Sequence, residues 1–203
     1  MKRRTFINLG LTGLATTVAA ASPVAMQFIP APSKEKWAVL FGTWHGTARD
    51  ASVWVSEGMG GIAAVFDIRQ VPADLLAYDH LIIGTAIHGG KGPQALEDYI
   101  SRNLSPLQGK IRGLFAVCGN RGKLPGPPQV KAYIDDYLAR LCGLNSVPHR
   151  VFGGRITQVL MAPAEYKAIA DMYARIGGPS GDWDNLSRVE CLNFGKEIYA
   201  AKA

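Results

Sequence analysis

The residues best suited to chemistry fall in three short glycine-rich runs. The first is Gly42-Thr-Trp-His-Gly46, followed at once by Thr47. The hydroxyls of Thr43 and Thr47 and the backbone amides of such a turn can all donate to one anion. The apolar run Trp37-Ala-Val-Leu-Phe41 ahead of the turn reads as a strand, and Thr47-Ala-Arg-Asp-Ala-Ser52 opens a helix. A strand–loop–helix junction points unpaired N–H groups and the positive end of a helix at one spot, which suits a phosphate. The second run is His88-Gly-Gly-Lys-Gly92, and the third is Gly119-Asn-Arg-Gly-Lys-Leu-Pro-Gly-Pro-Pro128.

The commoner phosphate motifs are absent. No G-x-G-x-x-G follows the first strand, and Gly58-Met-Gly-Gly61 precedes a strand, the wrong context for a dinucleotide. Gly90-Lys91-Gly92 suggests a Walker A loop. That reading fails because no Ser or Thr follows Lys91 and the spacing from Gly84 is one residue long. His45, His80 and His149 lack metal-like spacing and are read as structural or exposed, so no metal site is expected. Cys118, Cys142 and Cys191 are odd in number, widely spaced and without a C-x-x-C. They read as buried apolar thiols. One disulfide with one free thiol is the alternative in an oxidising compartment.

The elements that must position the three runs alternate along the chain. After the first strand and the helix from Thr47 to about Met59, Ile62–Ile68 reads as a second strand. His80–Ile87 is a nearly continuous apolar third strand, and Pro93 is placed to start the next helix. Lys110–Cys118 is a fourth strand, Val130–Leu141 a helix with one apolar stripe, and Pro148–Phe152 a short fifth strand. Continuous apolar strands separated by helices imply a parallel sheet covered on both faces. Ala164–Ile176 reads as an amphipathic helix aligning Tyr166, Ile169, Tyr173 and Ile176. Asp182-Trp183-Asp184 reads as the start of a closing helix, with an Asp side chain as its cap. Ligands of such folds sit beyond the carboxyl ends of the strands, where all three glycine-rich runs fall.

The chain has 203 residues, 48% of them hydrophobic and 19% charged. One domain with a substantial core fits that length. Residues 1–21 read separately. Lys2, Arg3 and Arg4 precede Phe6 and Ile7, a weakly apolar stretch follows, and Ala19-Ala-Ala21 forms a cleavage box. This segment resembles a twin-arginine export signal, carried by Arg3, Arg4, Thr5, Phe6 and Ile7. A retained amphipathic anchor is the alternative. The resemblance implies export of a folded protein through the twin-arginine translocase and a periplasmic or otherwise exported location. That route often carries proteins with a redox cofactor inserted. Losing the three basic residues and no acid lowers the formal charge from +6 to +3. Nucleic acid is therefore not an expected partner. Residues 22–36 read as a linker and 37–203 as the domain.

Thr43, Gly46 and Thr47 resemble the phosphate loop of the flavodoxin family, with Trp44 and His45 between them. Ala48 departs, because that family usually has a hydroxyl there. The resemblance implies a three-layer sandwich, a five-stranded parallel sheet of order 2-1-3-4-5, and FMN as cofactor. Three further stretches are most similar to the menaquinone-dependent protoporphyrinogen oxidase branch: Tyr78–His88, Val151-Phe-Gly-Gly154, and Asp182-Trp183 with Asn193-Phe194 and Glu197-Ile198. By that resemblance Thr43, Trp44, His45, Gly46 and Thr47, then Ala86, Ile87, His88, Gly89 and Gly90, then Cys118, Gly119 and Asn120, would border the flavin. The second and third loops carry no Trp, Tyr or Phe, unlike flavodoxins that sandwich the ring. Trp44 is a candidate replacement, and a packing role at the helix start is its alternative. His88 could bond or pack on the ring, or be an exposed loop histidine.

A flavin asks little of side chains catalytically, so no catalytic residue is assigned. Lys91, Arg121 and Lys123 would ring the open edge of the site. They read as a solvated basic rim or, more sharply, as attractors of an acidic small-molecule substrate such as a porphyrin. Val159–Met161 and the helix behind it read as core, with docking of a quinone or the membrane surface as the alternative. The leading expectation is an exported FMN oxidoreductase with a quinone partner. An electron carrier for a protein partner, or a binding domain that has lost the flavin, are the alternatives.

Overall fold

The computed structural model describes residues 30–120 and 123–202. The expected export signal (1–21), residues 22–29 of the expected linker and Arg121 lie outside the described residues.

The apolar runs form β1 (Trp37–Gly42), β2 (Ala63–Asp67), β3 (His80–Ala86), β4 (Ile111–Cys118) and β5 (His149–Gly153). All pair in parallel, in the order β2-β1-β3-β4-β5 that the flavodoxin resemblance implies. The helices are α1 (Thr47–Gly58), α2 (Gln94–Arg102), α3 (Leu104–Gln108), α4 (Pro127–Val130), α5 (Pro163–Arg175) and α6 (Arg188–Lys202). α4 runs on directly into a π-helical segment, Lys131–Ala139. A two-stranded antiparallel ribbon, β6 (Arg155–Ile156) with β7 (Trp183–Asp184), lies outside the main sheet.

Strand alternation sorts the core into two layers. Ala38, Leu40, Leu81, Ile83, Leu114 and Ala116 pack with Leu96 and Ile100 of α2, Leu107 of α3, and Ile134 and Leu138 of the π-helical segment. Their strand neighbours Trp37, Val39, Phe41, Ile82, Phe115 and Val117 join the opposite cluster. There they meet Ala48, Ala51 and Val55 of α1 and Cys191, Phe194 and Ile198 of α6. Strands buried on both faces have no polar face to show, which is why they read as unbroken apolar runs. α1 and α6 approach backbone to backbone. A Cβ on Gly58 would lie 2.1 Å from the Leu192 carbonyl oxygen, and one on Gly195 would lie 2.1 Å from that of Val55.

Two expectations change. Trp183–Asp184 is a strand, not the start of the last helix, and α6 begins at Arg188. The Ser187 hydroxyl accepts from the Glu190 N–H at 3.3 Å and so satisfies an amide of the first turn. The Asp184 carboxylate accepts instead from the Leu186 N–H at 2.8 Å, within the turn ahead of the helix. Val159 and Leu160 are not core: they lie in a short 3-10 turn and are 86% and 49% exposed. Among the described residues no helix is long and apolar enough to cross a membrane.

Candidate functional site

β1, β3 and β4 are neighbours in the sheet, and the loops after them open on one cleft of about 860 Å³. The first loop contributes Thr43, Trp44, His45 and Thr47. The second contributes Ala86, Ile87, His88, Gly89 and Gly90, and the third Cys118, Gly119 and Asn120. Gly46 lines an adjoining smaller hollow with Arg49, Arg155 and Leu160. Lys123 borders the cleft, whereas Lys91 is exposed and is not among the lining residues.

In the first loop, Gly46 takes the left-handed conformation, φ +85°, as the residue capping α1. That conformation favours glycine. Its N–H donates to the Thr43 hydroxyl oxygen at 3.1 Å. The Thr43 hydroxyl therefore accepts within the turn and keeps its own proton to donate. Gly46 has no side chain with which to cap α1. The first amides of the helix, which have no intrahelical partner, thus remain available to a ligand. Ala48 is fully buried in the layer with Val39 and Phe41, so core packing takes the place of the family's hydroxyl.

The second loop is a tight reversal. The His88 N–H donates to the Lys91 carbonyl at 2.9 Å, and the Lys91 N–H donates back at 3.2 Å. Gly89 and Gly90 between them have φ +59° and +87°, as a two-residue hairpin turn of this hand requires. The Trp44 and His88 rings meet edge to face with centroids 5.5 Å apart. The loop is anchored at Gly92, whose N–H donates to the Tyr137 hydroxyl at 2.8 Å, and that hydroxyl donates to Glu97 Oε1 at 2.8 Å. Burial, and then the Glu97 carboxylate, push the Tyr137 pKa above the usual tyrosine range.

The third loop turns at Asn120, φ +37°, whose side-chain amide donates to the Leu124 carbonyl at 2.7 Å. Burial pushes the Cys118 thiol up to about 11, so it stays protonated and is a poor nucleophile. Among the described residues no cluster of three or more His, Cys, Asp or Glu side chains is placed to hold a metal.

One wall of the cleft was not foreseen from the sequence. Gly154, Arg155, Ile156, Met161, Glu165, Ile169, Met172 and Tyr173 line it from the chain beyond β5, and Gln129 and Tyr133 line it from α4 and its π-helical continuation. Tyr133 and Tyr173 sit on apolar helix stripes and read there as core. The structure brings both to the cleft, so aromatic residues border it from these helices and from Trp44 rather than from the second and third loops. The available signal was the choice of tyrosine, whose hydroxyl seeks a polar partner at the edge of a core. Glu165 reaches His45, with Oε2 3.1 Å from Nε2. Arg155 pairs with Asp50 on the first turn of α1 and lies 3.8 Å from Asp184. Its Nε is buried with no hydrogen-bond partner among the described residues.

Fold and cleft together define a doubly wound α/β protein with its ligand site beyond the strand ends. The model of the flavodoxin domain family matches residues 38–178, and the chain belongs to that family. The structure is similar to oxidised flavodoxin 1 from Bacillus cereus: 17% identity, TM-score 0.51, covering 81% of this chain and 97% of that one. It is also similar to a short-chain flavodoxin associated with a non-canonical PDU bacterial microcompartment: 16% identity, TM-score 0.51, covering 83% and 99%. At these identities the likeness shows the fold. No curated protein sequence matches the chain.

Proposed function

We propose that the cleft binds FMN and that the protein is an exported oxidoreductase similar to menaquinone-dependent protoporphyrinogen oxidase. The observation that carries the reading is the uncapped start of α1 beside the Thr43 hydroxyl, opening into a cleft bordered by aromatic rings. Thr43, Thr47 and the first amides of α1 would hold the phosphate. Trp44, His88 and Tyr133 would border the ring. Gly89 and Gly90 leave their backbone uncovered, since a Cβ on either would meet no atom within 4 Å. Bound FMN would supply the hydride or electron transfer. The cleft is in the upper part of the size range of small-molecule sites, which suits a substrate taken up beside the flavin. Lys123 at its edge suits an acidic one, a porphyrin in this reading, with a quinone as electron acceptor. Export through the twin-arginine translocase belongs to the same reading and rests on residues 1–21.

A second reading is an electron carrier for a macromolecular partner. It is favoured by Val159, Leu160, Met172 and Ile176, all exposed large apolar residues on the segment that walls the cleft. The same residues suit a peripheral membrane contact. Purified protein distinguishes these readings. Bound flavin released by acid and identified as FMN, with quinone-dependent oxidation of protoporphyrinogen, supports the first. FMN with electron transfer only to protein partners supports the second. A colourless protein that takes up no FMN removes both.

A further inference from the structure

Arg155 stands where the loop, the first helix and the β6–β7 ribbon meet. It lines both the main cleft and the smaller hollow beside Gly46. Its Nη2 lies 4.0 Å from the position a Cβ on Gly46 would take. A guanidinium beside the positive end of α1 is electrostatically unfavourable unless anions answer it. Two do so here. Asp50, from the first turn of α1, bonds Nη2, and Asp184 of β7 stands 3.8 Å from Nη1, beyond hydrogen-bond range. The Arg49 guanidinium shares Asp50, at 2.9 Å. These carboxylates hold Arg155 in place without using all its donors. Nε is buried and bonds nothing among the described residues. A buried donor without a partner is costly, so this guanidinium has hydrogen-bonding capacity that the described residues leave unused, on a side chain that lines the cleft.

We infer that Arg155 is a phosphate-binding residue of this cleft, giving a charged donor to a cradle otherwise built from hydroxyls and amides. Asp50 and Asp184 position it. The inference rests on the reading of the cleft as a phosphate-ester site. A guanidinium held between two carboxylates, with its Nε unpartnered, has directed, charged donors to spare for phosphate oxygens in a way that a point charge does not. The ligand end specified is the phosphate and not the ring.

Fluorescence titrations of the wild type, Arg155→Gln, Arg155→Lys and Asp50→Asn with FMN and with riboflavin test this. Thermal melts in inorganic phosphate accompany them. Arg155→Gln is expected to weaken FMN about ten- to a hundredfold, the range for a charged hydrogen bond, and to leave riboflavin unchanged. Arg155→Lys, which keeps the charge and favours folding, should recover only part of the loss. Asp50→Asn, which removes the carboxylate that positions Arg155, should weaken FMN binding by less than Arg155→Gln does and leave riboflavin unchanged. Equal losses for FMN and riboflavin in Arg155→Gln, or a loss of both in Asp50→Asn, would make Arg155 a structural fastening and overturn the inference. An unchanged FMN-to-riboflavin ratio in Arg155→Gln overturns it as well. If the wild type binds neither flavin, the FMN reading falls by itself. Arg155 is then judged by inorganic phosphate: stabilisation lost in Arg155→Gln supports it, and stabilisation that persists or is absent in the wild type overturns it.

Discussion

At the scale of single residues, the first loop has two kinds of donor. Thr43 accepts the Gly46 N–H and keeps its hydroxyl proton, while the amides at the start of α1 have no cap to occupy them. Thr43→Ala therefore removes one ligand donor and one turn bond together. It is expected to lower FMN affinity by roughly tenfold, from a hydrogen bond to a charged group of about 1.5–3 kcal/mol partly offset by water. Riboflavin affinity should change much less, and parallel titrations read the difference. Cys118 makes the opposite point. It lines the cleft, but with its thiol raised to about 11 by burial it contributes shape rather than reactivity.

At the scale of elements, distant segments hold the site together. Tyr137 ties the second loop to α2 by bonding both Gly92 and Glu97. Tyr137→Phe leaves the Gly92 amide and the Glu97 carboxylate without that partner. The expected cost is about 1–3 kcal/mol. It should appear as a lower unfolding midpoint and faster hydrogen exchange at Gly92. The α1–α6 contact is tighter still. Gly195→Ala would place a methyl group 2.1 Å from the Val55 carbonyl oxygen, and a backbone cannot yield as a flexible side chain does. Separating the helices is expected to cost about 1–3 kcal/mol, read in denaturant titration. Because α1 begins at the first glycine-rich loop of the cleft, the same substitution should weaken FMN binding.

At the scale of the whole molecule, the three cysteines report on the core. Cys118, Cys142 and Cys191 are buried and free, and burial raises their thiols from the ordinary 9.0 to about 11, 12 and 12. In the unfolded chain they lose protons near 9.0, while in the fold they keep them. Between those values the native state binds more protons than the unfolded state, so stability falls as pH rises. Full stability from this source holds below about pH 9 and declines through the folded values. The melting temperature should drop steadily from pH 9 to 11, and replacing the cysteines by alanine should flatten that slope. Native protein at pH 8 should react slowly with thiol reagents and become reactive in denaturant.

The fold was legible in the residues because parallel strands covered on both faces must be apolar throughout. Trp37–Phe41 and His80–Ile87 carry that signal without help from the rest of the chain. The three loops were legible too, since only glycine readily takes the conformations at Gly46, Gly89 and Gly90. The fourth wall was not. Tyr133 and Tyr173 have the same helical period whether their stripe meets core or cleft, so spacing alone could not separate the two. Trp183–Asp184 looked like a helix start because a two-residue ribbon has no period to read, and its partner Arg155–Ile156 is far away in sequence. The position of Arg155 beside Gly46 is of the same kind. Its charge is local information, but its meeting with Asp50, 105 residues away, exists only once the chain has folded. Local chemistry determined the strands and the glycine turns at their ends. Tertiary packing alone decided which side chains close the cleft around them.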